Sequence, residues 1–160
     1  MELKIKCAHQ DVVEILNLKP HPRNPNKHSE KQLKLYAKIL AKQGIRKAVV
    51  VSKQSGFVVT GHGCIEGAKI NGWAYVPVDY QDFESPDEEY AHMVADNKLA
   101  ELADLDLQMV DEDALKLGEG FDMDLLGIPY FSAGVIGETN APNKRGTGMP
   151  EFDQPDKTSY

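Results

Sequence analysis

Cysteine is scarce in this 160-residue chain, where Cys7 and Cys64 are the only two. Two cysteines make no disulfide framework, so a fold held by bridges is excluded, and both thiols are expected to be packing residues in a reducing compartment. Long apolar runs are missing as well. No stretch approaches the ~20 residues that cross a bilayer, and the opening Met1-Glu2-Leu3-Lys4-Ile5-Lys6 has no signal-like apolar region. The expected location is cytoplasmic, without a membrane partner. No internal repeat is visible. Basic residues nearly vanish from the second half: residues 81–130 carry 2 Lys/Arg against 15 Asp/Glu, whereas residues 1–80 carry 13 against 6. The net charge of -7 therefore does not exclude nucleic acid, because a basic first half can coexist with an acidic second half. Lys31, Lys34, Lys38 and Lys42 either contact DNA or solvate an exposed helix face, and charge alone leaves both open.

What is present is an α/β pattern. With 41% hydrophobic residues the chain can bury one core, so a single domain with a tail is expected. Val12-Val13-Glu14-Ile15-Leu16 reads as a short strand, and three prolines make residues 19–26 a loop. Ser29 caps a helix with Gln32 in capping-box position; Leu33, Tyr36, Ala37 and Leu40 recur at helical spacing, and Gly44 ends the helix. Ala48-Val49-Val50-Val51 and Phe57-Val58-Val59 predict an antiparallel hairpin turning at Gly56. A helix from about Cys64 to Ile70 stops at Asn71-Gly72, and Tyr75-Val76-Pro77-Val78-Asp79 follows as a strand placed at an edge by Pro77, with Trp73 and Tyr75 expected in the core. Ser85-Pro86-Asp87-Glu88 starts a helix running to about Ala103. Two short helices, near 108–117 and 122–126, end at Gly118 and Gly127 and form a helical appendix over 106–130. Residues 131–160 turn to Ser, Gly, Asn, Pro and Thr and read as a flexible linker or tail, too poor in apolar surface to offset the entropy of ordering.

Chemistry concentrates at Gly61-His62-Gly63-Cys64, between the strand Phe57-Val58-Val59-Thr60 and the following helix. Glycines at a strand-to-helix junction bring backbone N–H groups close to a ligand, and a helix N-terminus favours an anion, so phosphate is expected there. His62 has an ordinary pKa near neutrality and is the candidate for proton transfer; His28, just before the capping Ser29, can approach the same phosphate. Cys7-Ala8-His9 with His62-Gly63-Cys64 could in principle hold zinc, but one-residue spacings are unusual for structural zinc.

Taken in order, Asn24-Pro25-Asn26-Lys27-His28-Ser29, Gly44-Ile45-Arg46, Gly61-His62-Gly63 and Ala95-Asp96-Asn97-Lys98-Leu99-Ala100 resemble the N-terminal domain of ParB-like proteins. The likeness spans residues 12 to about 105 and is nearest to phage and prophage ParB-like nuclease-domain proteins, including those fused to DNA methyltransferases. It implies the ParB/sulfiredoxin fold, a small mixed sheet with a hairpin and flanking helices over 1–105. It also implies a nucleoside triphosphate (ATP or CTP) with Mg²⁺. Gly44, Ile45 and Arg46 would contact phosphate or base, Gly61, His62 and Gly63 would offer donors to phosphate, and Asp96 and Asn97 would hold the metal, with His62 and Asp96 the catalytic pair of a phosphohydrolase or nuclease. The partners it implies are DNA, a second copy of the chain, and a downstream domain or methyltransferase. Cys64 stands where many relatives carry arginine, so the phosphate site is expected to lack that grip. Sulfiredoxins place a reactive cysteine at the start of this helix, yet their cysteine would align with His62, not Cys64. A non-catalytic DNA-associated adaptor with a degenerate nucleotide site is the alternative.

Overall fold

The computed structural model describes residues 1–134. Nine regular elements follow in chain order: β1 (Asp11–Glu14), β2 (Lys19–Pro20), α1 (Glu30–Gln43), β3 (Val49–Ser52), β4 (Phe57–Thr60), α2 (His62–Ile70), β5 (Tyr75–Gln81), α3 (Pro86–Leu102) and α4 (Leu107–Ala114). Short 3-10 turns sit at Ile15–Asn17 and Met123–Leu126. The strands form one mixed sheet in the order β1-β5-β3-β4-β2. β3 and β4 are the expected antiparallel hairpin, with a register shift between Val50 and Val51; β3 runs parallel to β5, β5 antiparallel to β1, and β2 parallel to β4. The expected loop over 19–26 therefore begins as an edge strand, where Pro20 costs no ladder bond on the solvent side.

The alternation of the valines sets the layers. Val49, Val51 and Val58 face α1 and α2, packing with Leu40, Ile45, Ile65 and Ala68, whereas Val50 and Val59 face α3, packing with Met93, Phe83 and Tyr90. All four residues of β3 are buried, as a strand covered on both faces requires. Trp73 is in the first core, with its indole N–H donating to the Met1 carbonyl at 3.1 Å.

Two expectations about β5 fail. The strand is interior, between β1 and β3, despite Pro77. The Ile15 amide donates to Ala74, so bonded pairs on the β1 side alternate and leave Val12 opposite Pro77 as a non-bonded pair. The missing N–H of Pro77 then points toward β3 just ahead of the first parallel pair, Val49 with Val78, where no ladder acceptor is waiting. Tyr75, expected in the core, is 47% exposed because it opens the strand opposite Glu14.

The helix starts follow the sequence closely. Ser29 and Ser85 accept from the Gln32 and Glu88 amides at 3.1 Å each, and Asp106 accepts from Met109 at 3.0 Å. α2 begins two residues earlier than expected, at His62, because Gly61 itself is the N-cap. α4 ends at Ala114, short of Leu117 and Gly118, while Gly127 closes the last turn in the left-handed region. Beyond residue 134 the expected tail lies outside the described residues. No helix among the described residues is long and apolar enough to cross a membrane.

Candidate functional site

The β4–α2 junction opens on a cavity of about 440 Å³, within the roughly 300–1,000 Å³ typical of small-molecule sites. Its walls come from four places: the loop before α1 (Asn24, Asn26, His28), the inner face of α1 (Gln32, Tyr36, Ile39), the start of α2 (Gly61, His62, Gly63, Cys64) and the middle of α3 (Asp96, Asn97). Lys47 and Ala48, entering β3, Thr60 at the end of β4, and Gly127 line it as well. The structure thus gathers His28, Gly61, His62, Gly63, Cys64, Asp96 and Asn97 at one site.

Gly61 makes the junction possible. Its φ of +100° is left-handed, and a Cβ there would lie 3.0 Å from the Val49 Cγ2. The chain turns sharply over β3, and Gly61, His62, Gly63 and Cys64, at the helix start whose first amides have no acceptor within the helix, line the cavity. Gly63 keeps the approach open, since a Cβ on it would stand 3.4 Å from both His28 Nε2 and Tyr36 Cε1. Burial pushes the Tyr36 hydroxyl up to about 12, so it is a neutral donor at this wall.

His62 is half-buried, and burial, followed by the neighbouring His21 and His28, holds its pKa below the ordinary value. Its Nε2 accepts from the His21 amide at 3.3 Å, which leaves the proton of the neutral ring on Nδ1. In this state the one N–H of the His62 ring is on Nδ1, and its basic lone pair is spoken for.

Asp96 and Asn97 both reach the cavity, but each has a second engagement. Lys47 Nζ lies 3.6 Å from the Asp96 carboxylate, and the Asn97 amide nitrogen donates to the Met93 carbonyl at 2.9 Å, which leaves its oxygen as the acceptor of that side chain. Among the described residues no group of three or more His, Cys, Asp or Glu is placed to hold a metal by itself. One carboxylate and one carboxamide oxygen do fit Mg²⁺, which dehydrates reluctantly and takes one or two protein oxygens beside substrate phosphates and water.

Gly44, Ile45 and Arg46 do not line the cavity. Gly44 and Ile45 serve the N-terminal segment: the Ile45 amide donates to Lys4, its carbonyl accepts from Lys6, and a Cβ on Gly44 would meet the Lys4 carbonyl oxygen at 2.9 Å. Ile45 is 1% exposed, and Arg46 points to solvent.

Sequence reasoning passed over His21. It is 8% exposed, and Glu89, 4% exposed, lies 3.2 Å from its Nε2. The His21 Nδ1 accepts from the Arg23 amide, so Nε2 carries the hydrogen and donates to Glu89, which also accepts from the Ser55 hydroxyl at 2.8 Å. Arg23 lies over the Tyr90 ring at 4.2 Å. These contacts fix the loop that carries Asn24, Asn26 and His28 onto α3 and the β3–β4 turn. A single histidine after Pro20 gave no periodic or spacing signal for this.

Cys64 is 3% exposed, and burial pushes its thiol up to about 12, against the lowering expected of a helix N-terminus. Cys7 and Cys64 are both free thiols. We expect Cys64 to resist a thiol reagent such as dithionitrobenzoate at pH 8 while the half-buried Cys7 reacts. One equivalent should be released from the folded protein and two after denaturation; two released at once would show the thiol to be accessible.

No protein-family model and no curated protein matches the sequence. The fold, however, is that of a known class of mixed α/β domains. It is similar to the C-terminally truncated chromosome-partitioning protein ParB from Caulobacter crescentus in complex with CTP-gamma-S, with a TM-score of 0.53 and 20% identity over 66% of this chain. The same protein complexed to the centromeric parS site gives a TM-score of 0.47 at 20% identity over 66% of this chain and 54% of that one. A Pnob8-like ParB-N domain gives 0.47 at 18% over 68% and 47%. The chain spans 59% of the length of the CTP-gamma-S-bound structure. The ParB-like fold is established.

Proposed function

We propose that residues 1–105 form a ParB-like nucleotide-binding domain that works with DNA in the cytoplasm, extended by an appendix at 106–130, and that its ligand is a nucleoside triphosphate. One observation carries this reading: the cavity is floored by the glycine-turned N-terminus of α2 and faced by Asp96 and Asn97. The α2 amides and the His62 Nδ1–H supply donors for phosphate oxygens, and Lys47 adds a positive charge at the rim. Mg²⁺, when bound with the nucleotide, would neutralise phosphate charge from the Asp96–Asn97 side. CTP-gamma-S in a protein of the same fold favours a triphosphate among ligands of this chemistry. A metal-dependent phosphohydrolase or nuclease would need His62 to release its Nε2 lone pair from the His21 amide. That engagement, with the Lys47–Asp96 pair and the thiol at position 64, supports binding over turnover and gives the adaptor reading its place. Phage or prophage descent, a methyltransferase partner and a homodimer remain parts of the same proposal.

The test is a thermal-shift series with CTP, ATP and GTP, with and without Mg²⁺. Ligand at 100 times its Kd adds about 2.7 kcal/mol. At ~2–4 °C per kcal/mol for a chain of this size, the expected rise is ~5–10 °C. Asp96→Ala should remove the part of the rise that depends on Mg²⁺. No shift with any nucleotide leaves the adaptor, and release of phosphate or cleavage of DNA that disappears in His62→Ala restores the enzyme.

A further inference from the structure

The appendix does more than follow the domain. Lys38, midway along α1, is held by two carboxylates of the 3-10 turn region, Asp122 at 3.0 Å and Asp124 at 2.6 Å. These contacts raise the Lys38 pKa, and Lys38 lowers that of Asp122. A little further on, Lys31 Nζ lies 3.5 Å from the centre of the Tyr130 ring. Lys34, between them, pairs with Glu30 at 2.6 Å. At ~100° per residue, Lys31, Lys34, Lys38 and Lys42 fall within one stripe of α1, spaced about 4.5–6 Å along its axis. Such a row of ammonium groups is suited to a phosphate backbone, whose strands each carry one charge per ~3.4 Å of duplex axis.

We infer that the segment around Asp122, Asp124 and Tyr130 is an intramolecular cover over a duplex-binding face of α1, one that a nucleic-acid backbone displaces. This rests on the DNA part of the proposed function. The charge distribution agrees with it, since the acidic stretch 81–130 supplies both carboxylates and the basic stretch 1–80 supplies the stripe. Exposure suits an exchangeable contact: the Lys38, Asp122 and Asp124 side chains are 47%, 45% and 54% exposed, so water and salt already compete for them. The turn also carries Gly127, which lines the nucleotide cavity and approaches Ile39 of α1. Lifting the cover therefore alters one wall of that cavity as well.

The experiment measures binding of the full chain to a fluorescent 30-base-pair duplex at 50 and 200 mM salt, for the native protein, the Asp122→Asn/Asp124→Asn variant and the Tyr130→Ala variant. Asparagine keeps shape and length, and circular dichroism checks each fold. The double variant should bind about fivefold more tightly at 50 mM salt, and its log–log salt slope should steepen by ~0.9, one further phosphate contact. Tyr130→Ala should gain less, through Lys31 alone, and adding Lys38→Ala to the double variant should abolish its gain. Native protein and variants binding alike would overturn the cover while leaving the DNA reading standing. No binding by any of them would overturn both.

Discussion

Replacing Gly61 with alanine is expected to destabilise the domain by about 2–5 kcal/mol and to empty the proposed nucleotide site. Two costs add. A non-glycine residue in the left-handed region, here at φ +100°, loses ~1–2 kcal/mol. The new methyl would stand 3.0 Å from the Val49 Cγ2 and 3.1 Å from its Cα, and overpacking a tight core costs ~1–3 kcal/mol. Val49 cannot retreat, because it is fully buried between the two helices and its sheet neighbours. The turn must open instead, tilting the α2 amides away from the cavity. Gly56 separates the two costs: its φ is +74° with nothing within 4 Å of an added Cβ, so Gly56→Ala carries the conformational cost alone. Urea denaturation with an unchanged m-value measures both. If Gly61→Ala proves no worse than Gly56→Ala, the contact with Val49 is not what shapes the site.

Local signals in the sequence were enough for much of this. Ser29 and Ser85 are caps whose partners lie three residues away, and the β3–β4 hairpin closes over a short turn, so each can be recognised without knowing the rest of the fold. Gly61 was legible for the same reason, as a glycine between a β-branched run and a helical one. What escaped depends on residues far apart in the chain. β2 is a strand only because Phe57 and Val58 run beside it, and Pro77 is tolerated inside the sheet only because of its register against Val12 and Val49. The resemblance would set Gly44-Ile45 against a ligand, yet the N-terminal segment takes their backbone groups. Lysines on α1 read as either solvated or DNA-facing, and the acids that meet Lys38 come from more than eighty residues later. His21 and Glu89 carry no spacing signal, because a buried hydrogen bond between a loop and a helix has none.

That contact gives the second large effect. Glu89 lies in the first turn of α3, where an acidic residue is expected merely to favour the helix N-terminus. Its side chain is instead 5% exposed and accepts from both the His21 ring and the Ser55 hydroxyl. Glu89→Ala would leave the buried His21 ring N–H without an acceptor, release the exposed Ser55 hydroxyl to water, and open a void where the carboxylate stood. Leaving a buried donor unsatisfied costs ~1–3 kcal/mol, so the midpoint should fall by roughly 2–12 °C at ~2–4 °C per kcal/mol. Glu89→Gln retains an acceptor oxygen and should lose less than half as much. The consequence reaches the cavity through one amide: His21, once loose, no longer holds its N–H against His62 Nε2, and the His62 ring is free to turn its Nδ1–H away from a bound phosphate. Nucleotide affinity should therefore fall in Glu89→Ala although Glu89 does not line the cavity, and Ser55→Ala in the same background should add little further loss, because its acceptor has already gone. Additive losses from Ser55→Ala and Glu89→Ala would mean that the two side chains act independently, and the loop would then owe its position to Arg23 stacked on Tyr90.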